Sequence, residues 1–127
     1  MNIFNWLLIG AGGALGSVCR YEVQRVLQSR WPLPWPIGTA GANVAGCLLA
    51  GLLLGLLERH APATPGSIDW RLLTITGFCG GFTTFSSFAL ENTALLRNGQ
   101  AGLALLYMGG SLAAGLLAAA AGYAVVR

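Results

Sequence analysis

The sequence predicts an all-α integral membrane protein with four transmembrane helices, the third of them broken, in a single domain over residues 1–127. Three observations carry this. Hydrophobic residues make up 55% of the chain and charged residues only 9%, too few to solvate a globular surface. Four apolar windows stand out: Ile3 to Cys19, Ile37 to Leu57, Leu72 to Leu90 and Ala101 to Val126. A spanning helix needs about 20 mostly apolar residues, and all four windows meet this, the first only just before Arg20. Third, the run Gly77-Phe78-Cys79-Gly80-Gly81-Phe82-Thr83-Thr84-Phe85-Ser86-Ser87-Phe88 puts adjacent glycines and a cluster of hydroxyls inside the third window. Backbone that leaves the helix at membrane depth is tolerated only where protein or a watery cavity satisfies it. A break there is a candidate binding site.

Taken in order, helix one is expected from about Ile3 to Leu27, with Gly12 and Gly16 spaced for close packing. Trp31-Pro32-Leu33-Pro34-Trp35-Pro36 is a stiff connection with tryptophans suited to the membrane interface. Helix two is expected over Ile37 to Leu57, with Gly51 and Gly55 at the same spacing. The connection from Glu58 to Trp70 contains two prolines and a glycine. Helix three is expected from about Arg71 to Leu96, broken near Gly77 to Ser86. A tight turn at Arg97-Asn98-Gly99-Gln100 leads into helix four, which ends at Arg127. Small residues let membrane helices approach closely, and packing is the ordinary role of any single glycine here.

Charge and cysteine content narrow the function. The basic residues are seven arginines without a lysine run, so no nucleic-acid partner is expected. Cys19, Cys47 and Cys79 form neither a CxxC pair nor a disulfide framework. The lone histidine, His60, falls in a connection, which speaks against a histidine metal site or a catalytic triad. With four spans, Arg59, Arg71 and Arg127 fall on one side and Arg25, Arg30 and Arg97 on the other, if Arg20 belongs to helix one. An orientation is chosen by an excess of positive charge on one side. The balance here suits a chain that inserts both ways up.

Several polar side chains lie inside the apolar windows. Thr39, Asn43 and Gly46 share one face of helix two, and Asn43 offers an amide donor at depth. Such an amide serves either as glue between helices or as a donor to an anion. Tyr107 and Ser111 form an i, i+4 pair of hydroxyls on helix four. Phe82 and Phe85, three residues apart, are expected on one helical face. Aromatic ring edges carry partial positive charge that a small anion can meet; core packing is the competing role. Carbonyls freed near Gly80 and Thr83 suit a hard cation or water. Arg20 either snorkels to the interface or attracts anions. Glu91 either extends a polar track or sits in solvent at the helix end.

The run at 77–88, together with Gly38-Thr39, Asn43, Gly46, Gly16 and Arg20-Tyr21, closely resembles the Fluc (CrcB) fluoride channel family, over essentially the whole chain. The resemblance implies a passive, fluoride-selective channel of the bacterial inner membrane that lowers toxic cytoplasmic fluoride. It implies an antiparallel, dual-topology homodimer with two pores and a central structural Na⁺. It further implies that Phe82, Phe85, Asn43, Tyr107 and Ser111 line the pore, that Arg20 stands in the vestibule, and that the main-chain carbonyls of Gly80 and Thr83 hold the Na⁺. A proton-coupled exporter of cationic drugs is the first rival; it should place a lone carboxylate deep in helix one, whereas Glu22 lies past Arg20. The second rival, a membrane assembly factor, needs packing faces but no polar inner surface. An intramembrane enzyme lacks a visible nucleophile and base pair.

Overall fold

The computed structural model describes residues 2–60 and 69–127. Residues 61–68, including both prolines and the glycine of the second connection, lie outside the described residues. The described chain is helical, and four helices are long and apolar enough to cross a membrane. Helix α1 spans Ile3–Arg30 and α2 spans Ile37–His60. The third span comprises a π-helical segment Leu72–Cys79, the single turn α3 at Gly80–Phe82, and α4 at Phe85–Arg97. Helix α5 runs over Ala101–Val126.

Local chemistry sets the ends. Asn2 caps α1 by accepting from the Asn5 amide at 3.1 Å. The helix runs one turn past the expected Leu27, where Arg25 bridges to Glu22 at 2.7 Å in an i, i+3 pair at the exposed end. Gly99, at φ 74°, is the left-handed residue that ends α4, and Gln100 N–H closes the turn on the Leu95 carbonyl at 2.9 Å.

The π-helical segment is not visible in the sequence pattern. Such wide turns are short in most proteins and cluster at functional sites. The break itself is narrower than expected. Thr83 (ψ 154°) and Thr84 (φ −147°) are extended, while Gly77, Gly80 and Gly81 remain helical. These glycines therefore do not interrupt the helix. Gly81 lies against the backbone of Gly13, and Gly77 against Gly12 and the Ile9 carbonyl, so that α1 approaches the third span without intervening side chains. Gly12 and Gly16 reciprocate against Leu73, Phe78 and Phe82. The Gly51 and Gly55 pair of α2 does the same against Ala119, Tyr123 and Val126 of α5. Large apolar side chains point outward on every span, among them Leu7, Leu48, Leu90 and Leu117, as expected where lipid is the solvent.

Candidate functional site

The break is the place to follow backbone groups one at a time. In a continuous helix Thr84 N–H would serve the Gly80 carbonyl and Ser87 N–H the Thr83 carbonyl. Here Thr84 N–H donates instead to Asn43 Oδ1 at 2.7 Å, and Asn43 Nδ2 donates back to the Thr84 carbonyl at 3.0 Å. Ser87 N–H donates to Thr84 Oγ1 at 3.2 Å, which caps α4. The Gly81 carbonyl accepts from Arg20 Nε at 3.1 Å and from Ser17 Oγ at 3.4 Å. Thr83 N–H and Oγ1 both donate to the Cys79 carbonyl, at 3.0 and 2.9 Å. The break thus deprives the carbonyls of Gly80, Gly81, Phe82 and Thr83 of their helical donors, and of these the Gly81 carbonyl is the one re-satisfied by Ser17 and Arg20.

Asn43, read from sequence as either glue between helices or a donor to an anion, is a two-way staple across the break, and its amide has a second N–H beyond the one in the staple. The Arg20 guanidinium is tied to the break from α1. The sharing of a face by Thr39, Asn43 and Gly46 is observed. They meet the third span on successive turns: Thr39 at Glu91, Asn43 at Thr84, and Gly46 at Phe82 and Thr83.

The aromatic residues also separate. Phe82 and Phe85 do not share a helical face, because the extended Thr83–Thr84 link stands between them and destroys the i, i+3 relation. Phe82 is buried, lies nearly parallel to Phe78 (centroids 5.7 Å apart, interplanar angle 11°), and fills the space beside Gly46. Phe85 opens α4 and is 79% exposed. Its neighbour is Phe88, with centroids 5.7 Å apart and planes tilted by 40°. Phe88 in turn meets Tyr107 at 5.1 Å, and Tyr107 meets Trp35 at 6.2 Å. These rings form a ladder leading from the break towards the first connection.

A groove of about 540 Å³ runs beside the ladder. Asn43, Thr83, Thr84, Phe85, Phe88 and Ser111 line it, with Phe82 outside. Ser111 is one of its lining residues. Tyr107 is committed elsewhere: its hydroxyl donates to Glu91 Oε2 at 2.8 Å.

Glu91 proves to be a junction. Its other carboxylate oxygen accepts from Thr39 Oγ1, which accepts from Gln24 Nε2 at 3.0 Å. Gln24 Oε1 accepts from Arg20 Nη1 at 3.4 Å. A directed chain of donors therefore joins the break to Glu91 across α1, α2, α4 and α5. Sequence reading missed Gln24, a polar residue one turn past Arg20 whose partner lies on another helix. Among the described residues no cluster of three or more His, Cys, Asp or Glu side chains is placed to hold a metal. The carbonyls freed at the break, Gly80 and Thr83 among them, are neutral oxygens of a kind that suits a hard cation.

The family description CrcB-like protein, Camphor Resistance (CrcB), matches residues 7–123. Among curated relatives, a fluoride-specific ion channel FluC of Maridesulfovibrio salexigens is 43% identical over 122 residues, covering 96% of this chain and 94% of that one. One of the same name from Acidobacterium capsulatum is 44% identical over 113 residues, covering 89% and 88%. Another, from Pseudomonas putida, is 42% identical over 119 residues, covering 94% of each. A match running from α1 almost to the end of α5, with the break inside it, means that this chain belongs to the CrcB-like family of membrane channels.

Proposed function

We propose that the chain is a fluoride-selective passive channel, not an enzyme, which lets fluoride leave a bacterial cell across the inner membrane. Fluoride enters from acidic surroundings as neutral HF and is trapped as the anion in the less acidic cytoplasm, so a channel driven by the membrane potential lowers its concentration without an energy-coupling step. The observation that carries this reading is the groove at the break, where Phe85, Phe88, the spare Asn43 N–H and Ser111 face one path. Ring edges and single hydrogen-bond donors hold an anion weakly enough for it to leave, as conduction requires. The aromatic pair assigned to the path is Phe85 and Phe88; Phe82 packs beside it. Tyr107 supports the path through Phe88 and Glu91.

The working unit is an antiparallel homodimer. The groove is open in one chain, Phe85 is exposed, and arginines balance on the two sides. A second, inverted copy would close both grooves into two pores. At its centre the Gly80 and Thr83 carbonyls from each chain would hold a Na⁺, which supplies positive charge and ties the two breaks together. Proteoliposomes loaded with fluoride test the function: efflux of F⁻ with exclusion of Cl⁻, unaffected by a proton gradient, is expected. Transport that requires a proton gradient would favour the exporter, and absence of anion flux the assembly factor.

A further inference from the structure

Beyond fluoride conduction, we infer that the opposite end of the molecule carries a binding site for a phospholipid with a net negative head. A cleft of about 280 Å³ lies where α2, the π-helical segment and α5 meet. Its walls are Ala50, Gly51 and Leu54 of α2, Ile75 and Thr76 of the π-helical segment, and Ala119 of α5, small or apolar but for the Thr76 hydroxyl. Arg71 and Tyr123 also line it. Arg127 lies over the Tyr123 ring, with Cζ 5.6 Å from the centroid, so a second guanidinium stands against a lining residue. The third arginine of this end, Arg59, is directed to the Val126 carbonyl at 3.3 Å.

Two carboxylates share the region. Glu58 accepts from the Tyr123 hydroxyl at 2.8 Å, and Asp69 accepts from the main-chain N–H of Arg71 at 3.1 Å. Neither forms an ion pair with Arg71 or Arg127; the ion pair among the described residues is Arg25 with Glu22. Arg71 and Arg127 are both exposed at the end of a membrane span, beside the cleft. A phosphate diester matches their guanidinium forks, since guanidinium meets phosphate oxygens bidentately. An acyl chain matches the cleft walls. No soluble anion offers both parts, whereas the bilayer supplies such a molecule at high local concentration.

The experiment is native mass spectrometry of the purified protein, released from nanodiscs containing equal phosphatidylglycerol and phosphatidylcholine. The expected result is retained phosphatidylglycerol in preference to phosphatidylcholine. Each interfacial arginine should contribute roughly fivefold to that preference, so Arg71→Gln with Arg127→Gln should remove most of it. Arg97→Gln, at the other end, should leave it unchanged. If the double variant does not survive purification, Arg71→Gln alone decides, with a fall of roughly fivefold expected. Equal retention of the two lipids by the unaltered protein, or retention in the Arg71 variants matching that of Arg97→Gln, overturns the inference. So does efficient disulfide cross-linking between copies through Ile75→Cys, which would mean that a second chain covers the cleft.

Discussion

The seam between α2 and α5 and the seam between α1 and the third span are both built on glycine, yet they are finished differently. In the first, Gly122 faces the Leu48 carbonyl and the Leu52 amide, and Gly51 faces the Ala119 carbonyl. Both helices are unbroken there, so each satisfies its own backbone and the contact can be wholly apolar. In the second, Gly16 and Gly81 bring the backbones equally close, but Ser17 and Arg20 reach across to the Gly81 carbonyl and Asn43 staples Thr84 from α2. The difference follows from the bilayer, which offers no water to freed backbone groups. A span that abandons its helix must recruit side chains from its neighbours, and one of those recruited, Asn43, also lines the groove.

Substitutions can break this contrast. Asn43→Ala should have the largest effect, since it orphans the Thr84 N–H; the Thr84 carbonyl, as the N-cap of α4, keeps its intrahelical donor. A buried orphan costs about 1–3 kcal/mol, so a stability loss of that order is expected, with fluoride efflux nearly abolished. Thermal unfolding and efflux per folded dimer measure the two parts. Unchanged stability with lost flux would mean that Asn43 acts on the ion and not on the break.

Tyr107→Phe comes next. It removes a hydrogen bond to a carboxylate, worth about 1.5–3 kcal/mol, and leaves the ring ladder in place. Reduced efflux is expected, and an unaltered rate would detach Glu91 from the path.

Gly122→Val probes the apolar seam. Its added side chain meets the Leu48 and Leu52 backbone, and overpacking of this kind costs about 1–3 kcal/mol. Here the dimers that do fold should conduct normally. Lowered flux per folded dimer would show that the seam shapes the path directly.

The phenylalanines give the smallest stability changes and the sharpest division. Phe82→Ile should cost about 1 kcal/mol, from the lost ring contact with Phe78, and leave conduction largely intact. Phe85→Ile and Phe88→Ile should leave stability nearly unchanged and greatly reduce efflux. The reverse pattern would return the aromatic wall to the pair Phe82 and Phe85.

Composition and apolar run length determined the four spans, because lipid imposes a length and a polarity on any helix that crosses it, and the Asn-Gly pair marked the turn at Gly99. The run at 77–88 likewise located the break to within a few residues, and the face of Thr39, Asn43 and Gly46 followed from helical spacing. What the sequence left undecided is which member of each cluster does what. Glycine next to hydroxyls reads as a flexible interruption, but only the packed structure shows that Gly77 and Gly81 are spent on contact with α1 while Thr83 and Thr84 extend. Helical arithmetic placed Phe82 beside Phe85, and it fails wherever the helix it assumes is absent. Gln24, Thr39, Glu91 and Tyr107 lie on four different helices; their union depends on how those helices dock, a relation between distant segments that local periodicity does not encode.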